Sequence, residues 1–486
     1  MWSYSVELLD VFEKYKITNV TDDTRNVSEG SLFVAIKGDN FDGELSAAKM
    51  LSEKGAAAVI TQNDLGLERQ VIVENARLAY AQAVSLFYGN PTSKLKLIAV
   101  TGTNGKSTVA TLIKAVLEKN AHKTGFIGTT CYDVCNPCGK VYEAKLSTPR
   151  QDELYRLFAE MVENNAEYCV MEASSQALDQ FRIAGESFET GVFTNLTQDH
   201  LDWHKTMENY YKAKKSLFYM CKSAVICVDD KYGKRLAGEL RKELNMPITT
   251  YSINELADVY GVNIKTSSGG VSYWFSDSKA EKSFPFKFKM PGIFNVANSM
   301  AAVAACRMLG NVGGEGLKLS VEECITALEG CPGVRGRCEV IHDGEFTVIC
   351  DYAHTEDALV KILTCVRDFA ARRIICLFGA AGERDADKRP SMGATAAKYA
   401  DFLIITSDNP RFEEPEKIIS EVKEGIPKIA PPCVTFVDRH EAIKFAVAEA
   451  EKGDIVLLCG KGHETYQVIG DDYTRFDERE IVAQLV

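Results

Sequence analysis

The residues best suited to chemistry sit in one short run, Thr101-Gly102-Thr103-Asn104-Gly105-Lys106-Ser107-Thr108. Backbone N–H groups of a glycine-containing loop that opens a helix point at phosphate oxygens, Lys106 adds a positive charge, and the Ser107 hydroxyl can ligate Mg²⁺. The run follows the apolar segment Ile98-Ala99-Val100 and precedes a helical pattern, which is the strand, loop, helix order that a phosphate loop needs. Val100 stands where the general motif has its first glycine, so the strict pattern is broken once. The competing reading is a glycine-rich turn with a solvated lysine.

Other polar residues cluster where apolar runs end. Glu172 closes Tyr168–Met171, and His200 follows Gly191–Phe193 at the end of Asn195-Leu196-Thr197-Gln198-Asp199-His200. Further along, Asp351-Tyr352-Ala353-His354, Gly379 to Arg384, Asp408-Asn409-Pro410-Arg411 and Gly460-Lys461-Gly462-His463-Glu464 each follow a strand-like run. Open α/β sheets bind ligands beyond the carboxyl ends of their strands, so these loops mark one working edge. Each also has a plainer reading. Asp408-Asn409-Pro410-Arg411 is turn chemistry, Asn295 is a helix cap, Lys214 is a solvated helix lysine, and Arg182 is a surface charge. Cys131, Cys135 and Cys138 offer three thiols without a second CxxC pair or a nearby histidine, so a plain loop competes with a zinc site.

Positioning such groups takes more than one core. At 486 residues the chain exceeds what one hydrophobic core serves. Turn-dense stretches at Gly89-Asn90-Pro91-Thr92-Ser93 and at Gly330 to Gly336 divide it into residues 1–93, 94–331 and 332–486. The expected fold class is α/β in three domains. A small α/β domain comes first, then a phosphate-loop domain with a mainly parallel sheet, then an open, doubly wound, Rossmann-like domain. In the last, strands are expected at Thr347–Cys350, Ile374–Phe378, Phe402–Thr406, Cys433–Val437 and Ile455–Cys459. Formal net charge is −12, which argues against nucleic-acid binding. No apolar run is long enough to span a bilayer, Met1 to Glu7 lacks the features of a secretion signal, and several of the fifteen cysteines lie in apolar runs, so a cytoplasmic protein is expected.

The phosphate run resembles that of the Mur ligases, the ATP-dependent enzymes that build the peptide of peptidoglycan. Met171-Glu172-Ala173-Ser174-Ser175, Asn195 to Asp202, Gly292 to Asn298, Gly336-Arg337 and Asp351 to His354 agree with that family in order. Asp23-Thr24-Arg25, Gly30 to Ala35, Lys388-Arg389-Pro390, Asp408 to Arg411 and Gly460 to Glu464 are similar to the branch that adds meso-diaminopimelate to UDP-N-acetylmuramoyl-L-alanyl-D-glutamate. The resemblance implies a cytoplasmic, monomeric enzyme of cell-wall synthesis using ATP and Mg²⁺, with catalysis by Lys106, Glu172, His200 and Lys214. It implies ATP contacts from Gly102, Thr103, Asn104, Gly105, Lys106, Ser107, Thr108, Asn295, Asn298, Arg337 and Asp351. Contacts to the UDP-muramoyl peptide are implied for Thr24, Arg25, Ser147, Thr148, Ser174, Gln180 and Arg182. The incoming amino acid is assigned to Arg384, Asp408, Asn409, Pro410, Arg411, Gly460 and Glu464. Metal ligation falls to Ser107, Glu172, His200 and Lys214, the last as a carbamylated lysine.

Four positions depart from the family pattern: Gln176, Lys205, Arg335 and Glu356. They leave a paralogue acting on an altered muramoyl peptide open, alongside a ligase that adds lysine and a nucleotide-binding regulator without ligase chemistry. The Asp23-Thr24-Arg25 region argues against a folate-type ligase. Arg411 favours diaminopimelate over lysine, because a guanidinium pairs bidentately with the second carboxylate that lysine lacks.

Overall fold

The computed structural model describes residues 6–38, 41–310 and 317–486; the first residues, on which the absence of a secretion signal was argued, lie outside them. The chain divides into two compact units, Met1–Thr250 with Ala301–Ser320, and Tyr251–Met300 with Val321–Val486.

The first unit opens with a four-stranded parallel sheet in sequential order, β1 (Asn19–Thr21), β2 (Ser31–Val34), β3 (Ala58–Thr61) and β4 (Gln70–Ile72). Every residue of β2 and β3 is buried, which is why both read as continuous apolar runs rather than as alternations. Helix Ala76–Phe87 starts where the Asn75 side chain accepts the N–H groups of Arg77 and Leu78.

A second sheet follows, from β5 (Lys96–Thr101), β6 (Thr124–Ile127), β7 (Tyr132–Asp133), β8 (Tyr168–Glu172), β9 (Phe188–Phe193) and β10 (Ala224–Cys227). Their order is β10-β9-β5-β8-β6-β7, parallel apart from β7. β5 is central, and its register sets Val100 beside Glu172 and Thr101 beside Phe193, so three strand ends open on one edge. Helix Lys106–Lys119 leaves that edge after β5.

In the second unit the end of β11 (Ile248–Ser252) pairs with β12 (Val259–Ser267), which continues as an antiparallel meander through β13 (Gly270–Asp277) and β14 (Lys282–Phe288). Sequence reasoning did not foresee this meander. Its alternation is partial: Val271, Tyr273 and Phe275 are buried while Trp274 faces outward.

The C-terminal sheet holds β15 (Glu339–Asp343), β16 (Thr347–Asp351), β17 (Ile374–Phe378), β18 (Phe402–Thr406), β19 (Cys433–Phe436) and β20 (Ile455–Cys459), in the order β15-β16-β20-β17-β18-β19. Only β15 runs antiparallel. Helices Glu356–Arg367, Lys388–Tyr399 and Pro415–Glu424 cover one face and Arg439–Glu449 with Glu478–Ala483 the other, which is the expected double winding. In β17, Ile374, Cys376 and Phe378 enter one core while Ile375 and Leu377 enter the other. Each such side chain contributes about 1.5–3 kcal/mol of burial, so both faces are fixed by one five-residue run. A hairpin of β21 (Tyr466–Ile469) and β22 (Asp472–Arg475) follows β20. Among the described residues no helix is long and apolar enough to cross a membrane, and all fifteen cysteines are free thiols.

Candidate active site

The phosphate loop is held open by contacts a larger residue would forbid. A Cβ on Gly102, at φ +148°, would lie 1.9 Å from Thr194 Oγ1, and Gly105 enters the helix at φ +84°. The segment after β9 clamps the loop: Asn104 N–H donates to Asn195 Oδ1 at 3.0 Å, Thr103 N–H to the Asn195 carbonyl at 2.9 Å, and Thr194 Oγ1 to the Asn104 carbonyl at 2.6 Å. Ser107 and Thr108 lie buried in the first helical turn. Lys106 Nζ donates to the carbonyls of Gly102 (3.0 Å) and Thr103 (2.8 Å).

Beneath the loop lies Lys214, on helix Met207–Lys215. The plain reading as a solvated lysine fails, for the side chain is 1% exposed. Its Nζ donates to the Gly102 carbonyl at 2.8 Å and sits 4.7 Å from the centre of the Tyr210 ring. Burial, reinforced by the charge of Lys106, drives its pKa well below the ordinary lysine value. Tyr210 also reaches Thr103 Oγ1 at 3.2 Å and meets the His200 ring edge-on at 6.1 Å, so it joins three expected site residues without having been foreseen as one. His200 itself adopts φ +51° at the start of a short helix.

The neighbouring strand end carries a second group. Glu172 is fully buried, with Oε1 accepting from Thr129 N–H at 2.7 Å and Oε2 from Thr129 Oγ1 at 3.1 Å. Thr129 Oγ1 lies 2.7 Å from Ser147 Oγ. Thr148 Oγ1 donates to the Glu172 carbonyl and accepts the Ser174 N–H. Arg182 is no loose surface charge: it donates to the Thr148 carbonyl at 2.7 Å and to Gln180 Oε1 at 2.7 and 3.0 Å. Glu172, Ser147, Thr148, Ser174, Gln180 and Arg182 thus converge. Thr24 and Arg25 occupy a short 3₁₀ turn capped by Asp23, with Arg25 exposed and paired to Asp23 at 2.7 Å; next to them Asp22 pairs with Arg150, just after Ser147-Thr148-Pro149.

In the second unit Asn295 and Asn298 lie inside helix Ile293–Met308 rather than ahead of it, which corrects the expectation of a cap. Asn295 Nδ2 donates to the Pro291 carbonyl at 2.7 Å, and its Oδ1 accepts Asn298 Nδ2 at 3.0 Å. Asp351 accepts the N–H groups of Cys338 and Ala353, and the Arg337 guanidinium lies over the Tyr352 ring at 4.8 Å. Burial raises the Asp351 pKa, with Arg337 opposing it. Backbones pack closely here: a Cβ on Gly336 would meet Gly462 C and His463 N at 2.2 Å.

The loops after β18 and β20 meet along one edge. Asn409 Nδ2 donates to Glu464 Oε2 at 2.9 Å, and a Cβ on Gly460, at φ +110°, would lie 2.6 Å from Asp408 Oδ2. Arg411 takes φ +53°, unusual for a residue with a side chain, and is pinned there. Its N–H donates to the Val468 carbonyl, its carbonyl accepts the Gly470 N–H, and Nη1 donates to the Gly382 carbonyl at 2.7 Å. Pro410 shapes the same turn, its carbonyl lying 1.9 Å from where a Gly382 Cβ would stand, and Arg384 is exposed. Behind the turn the buried Arg389 binds Glu413 at 2.9 and 3.0 Å, and Glu413 also accepts the N–H of Glu383.

Among the described residues no three His, Cys, Asp or Glu side chains gather as a metal-holding group, Cys131, Cys135 and Cys138 included. Mg²⁺ needs no such cage, since it keeps waters and takes phosphate oxygens. The buried Ser107 hydroxyl and the Glu172 carboxylate, which accepts only one bond per oxygen from Thr129, are a donor set that fits it.

Three family profiles match the chain: "Mur ligase family, catalytic domain" over residues 16–99, "Mur ligase middle domain" over 100–306, and "Mur ligase, glutamate ligase domain" over 336–462. A UDP-N-acetylmuramoyl-L-alanyl-D-glutamate--2,6-diaminopimelate ligase of Caldanaerobacter subterraneus subsp. tengcongensis is 43% identical over 97% of this chain and 95% of its own. The protein of that name in Alkaliphilus oremlandii is 42% identical over 96% and 94%. A solved structure of a ligase with that name superposes with a TM-score of 0.69 at 30% identity, covering 96% of this chain and 94% of the other.

Proposed function

The chain belongs to the Mur ligase family, and from that membership we propose that it joins meso-diaminopimelate to UDP-N-acetylmuramoyl-L-alanyl-D-glutamate at the expense of ATP, a step of peptidoglycan synthesis. A carboxylate is a poor electrophile at neutral pH. Transfer of the γ-phosphoryl group makes the glutamate carboxylate an acyl phosphate and releases ADP. The amine then attacks the acyl carbon, phosphate leaves, and an amide remains. Catalysis is mainly positioning and charge neutralisation.

The loop amides of Gly102 to Lys106, with Thr108 and the Lys106 charge, hold the ATP phosphates. Asn298 reads the base, oriented by Asn295, and Arg337 and Asp351 serve phosphate and ribose. Ser107, Glu172 and His200 would hold Mg²⁺, which would supply neutralisation of the phosphate charge. The low pKa of Lys214 supports carbamylation, because a neutral amine adds to carbon dioxide and loses a proton to give an oxygen-bearing anion. Thr24, Arg25, Ser147, Thr148, Ser174, Gln180 and Arg182 take the UDP-muramoyl dipeptide. Asp408, Asn409, Pro410, Gly460 and Glu464 receive the incoming ammonium end, and Arg384 with Arg411 its carboxylates. One chain supplies every group named, which fits a monomer, and free thiols with nucleotide substrates fit the cytoplasm.

The observation that carries the choice of amino acid is the pairing, on one edge, of an acid held by Asn409 with a pinned, half-buried guanidinium at Arg411. An ammonium and a distant carboxylate on one substrate match it. The test uses dipeptide labelled with oxygen-18 in its terminal carboxylate. Label should pass into released phosphate, with ADP formed rapidly for diaminopimelate and slowly for L-lysine; unlabelled phosphate would sink the acyl-phosphate route, and equal turnover of the two amines would sink the selectivity.

A further inference from the structure

Lys461 lies in the loop after β20 with its side chain 0% exposed. Its Nζ is 2.9 Å from Asn409 Oδ1, 3.1 Å from Glu464 Oε2 and 3.8 Å from Asp408 Oδ1. Asn409 Oδ1 also accepts the Val468 N–H at 3.0 Å. Two donors on that side oblige the amide oxygen to face them, which turns Nδ2 toward Glu464. We propose that Lys461 is a positioning residue for amine recognition: its buried ammonium fixes which way the Asn409 amide points and where the Glu464 carboxylate sits. The inference rests on the amine reading of this edge given above.

A neighbouring buried cation shows what a scaffold role looks like. Arg439 pairs with Glu478 and donates to the Ser407 and Cys459 carbonyls, so it ties two strand ends together through backbone. Lys461 instead spends its bonds on side chains that point into the site. Burial raises the Glu464 pKa, with Lys461 the largest opposing influence and Asp408 adding to the rise. Without Lys461, Glu464 would lose its largest counter-charge on a desolvated edge that it shares with Asp408, and the acceptor for the ammonium would weaken.

The test compares Lys461→Met with the unaltered protein in steady-state ligation and in trapping of the acyl phosphate by hydroxylamine. KM for diaminopimelate should rise at least about tenfold, while hydroxamate formation without diaminopimelate changes by less than about threefold. In a Glu464→Gln background the same substitution should raise KM by less than about threefold, because its effect passes through Glu464. Lys461→Gln serves if the methionine variant does not fold. An unchanged KM, additive effects in the double variant, or loss of hydroxamate in step with ligation would each overturn the proposal. Failure of the unaltered protein to ligate diaminopimelate would instead remove the functional reading beneath it.

Discussion

Lys214 and Lys461 are both buried, yet their surroundings differ in kind. Lys214 faces a backbone carbonyl and a tyrosine ring, beside a second cation, whereas Lys461 faces Asp408, Asn409 and Glu464. The first setting disfavours an ammonium; the second surrounds the charge with its counter-charges. The same contrast runs through both regions. The glycine loop before Lys106 is held through its backbone, by Thr194 and Asn195 bonding to Asn104. The edge after β18 and β20 is instead built from side chains locked to one another, an arrangement suited to discriminating among similar ligands.

The strongest way to break this contrast is Lys214→Met. If the reactive amine becomes an anionic metal ligand, ADP formation should fall by about 10²–10³-fold, and the variant should lose a carbamate signal that the unaltered protein takes up from carbon-13 bicarbonate in NMR. A variant with normal turnover would place both lysines in one class. A smaller effect is expected at the other region. Arg411→Lys should lower kcat/KM for diaminopimelate by roughly 10- to 100-fold while leaving the slow reaction with L-lysine nearly as it was, read by amide formation with each amine. An equal loss for both would mean that the edge holds amines without choosing among them.

The smallest effect sharpens how that edge is supported. Arg389→Met should destabilise the folded protein by about 1–3 kcal/mol, measured by urea unfolding at neutral pH, since Glu413 and Glu421 keep some access to water. Hydrogen bonding to Arg389, aided by the Glu383 N–H, holds the Glu413 carboxyl down to about 2 from 4.5. A depressed pKa contributes stability that is full above about 4.5 and lost as pH falls toward about 2. The gap between variant and unaltered protein should therefore narrow over that window; a gap independent of pH would mean that Glu413 plays no part in the support.

Much of this arrangement was legible because it is local. Strand, glycine loop and helix follow one another around Lys106, and the apolar runs of β17, β18 and β20 ended where the structure ends them. The meander from β12 to β14 was not, because its exposed faces dilute the apolar pattern with Lys, Ser and Thr. Asn295 was misjudged by a few residues: helix formation begins directly after Gly292, so the asparagine falls within the first turn. Tyr210 meets Thr103, Thr129 meets Glu172 and Arg389 meets Glu413, partners 24 to 107 positions away that nothing in a residue's own neighbourhood announces. Lys461 stood inside a recognised run, but only burial distinguishes it from a surface lysine.

Arg411 holds a backbone shape that glycine adopts freely and most residues resist. Its guanidinium and its peptide geometry therefore make opposing demands on a single codon. Glycine there would relieve the backbone but forfeit the guanidinium's bond to the Gly382 carbonyl, so the side chain and the turn it strains stand or fall together.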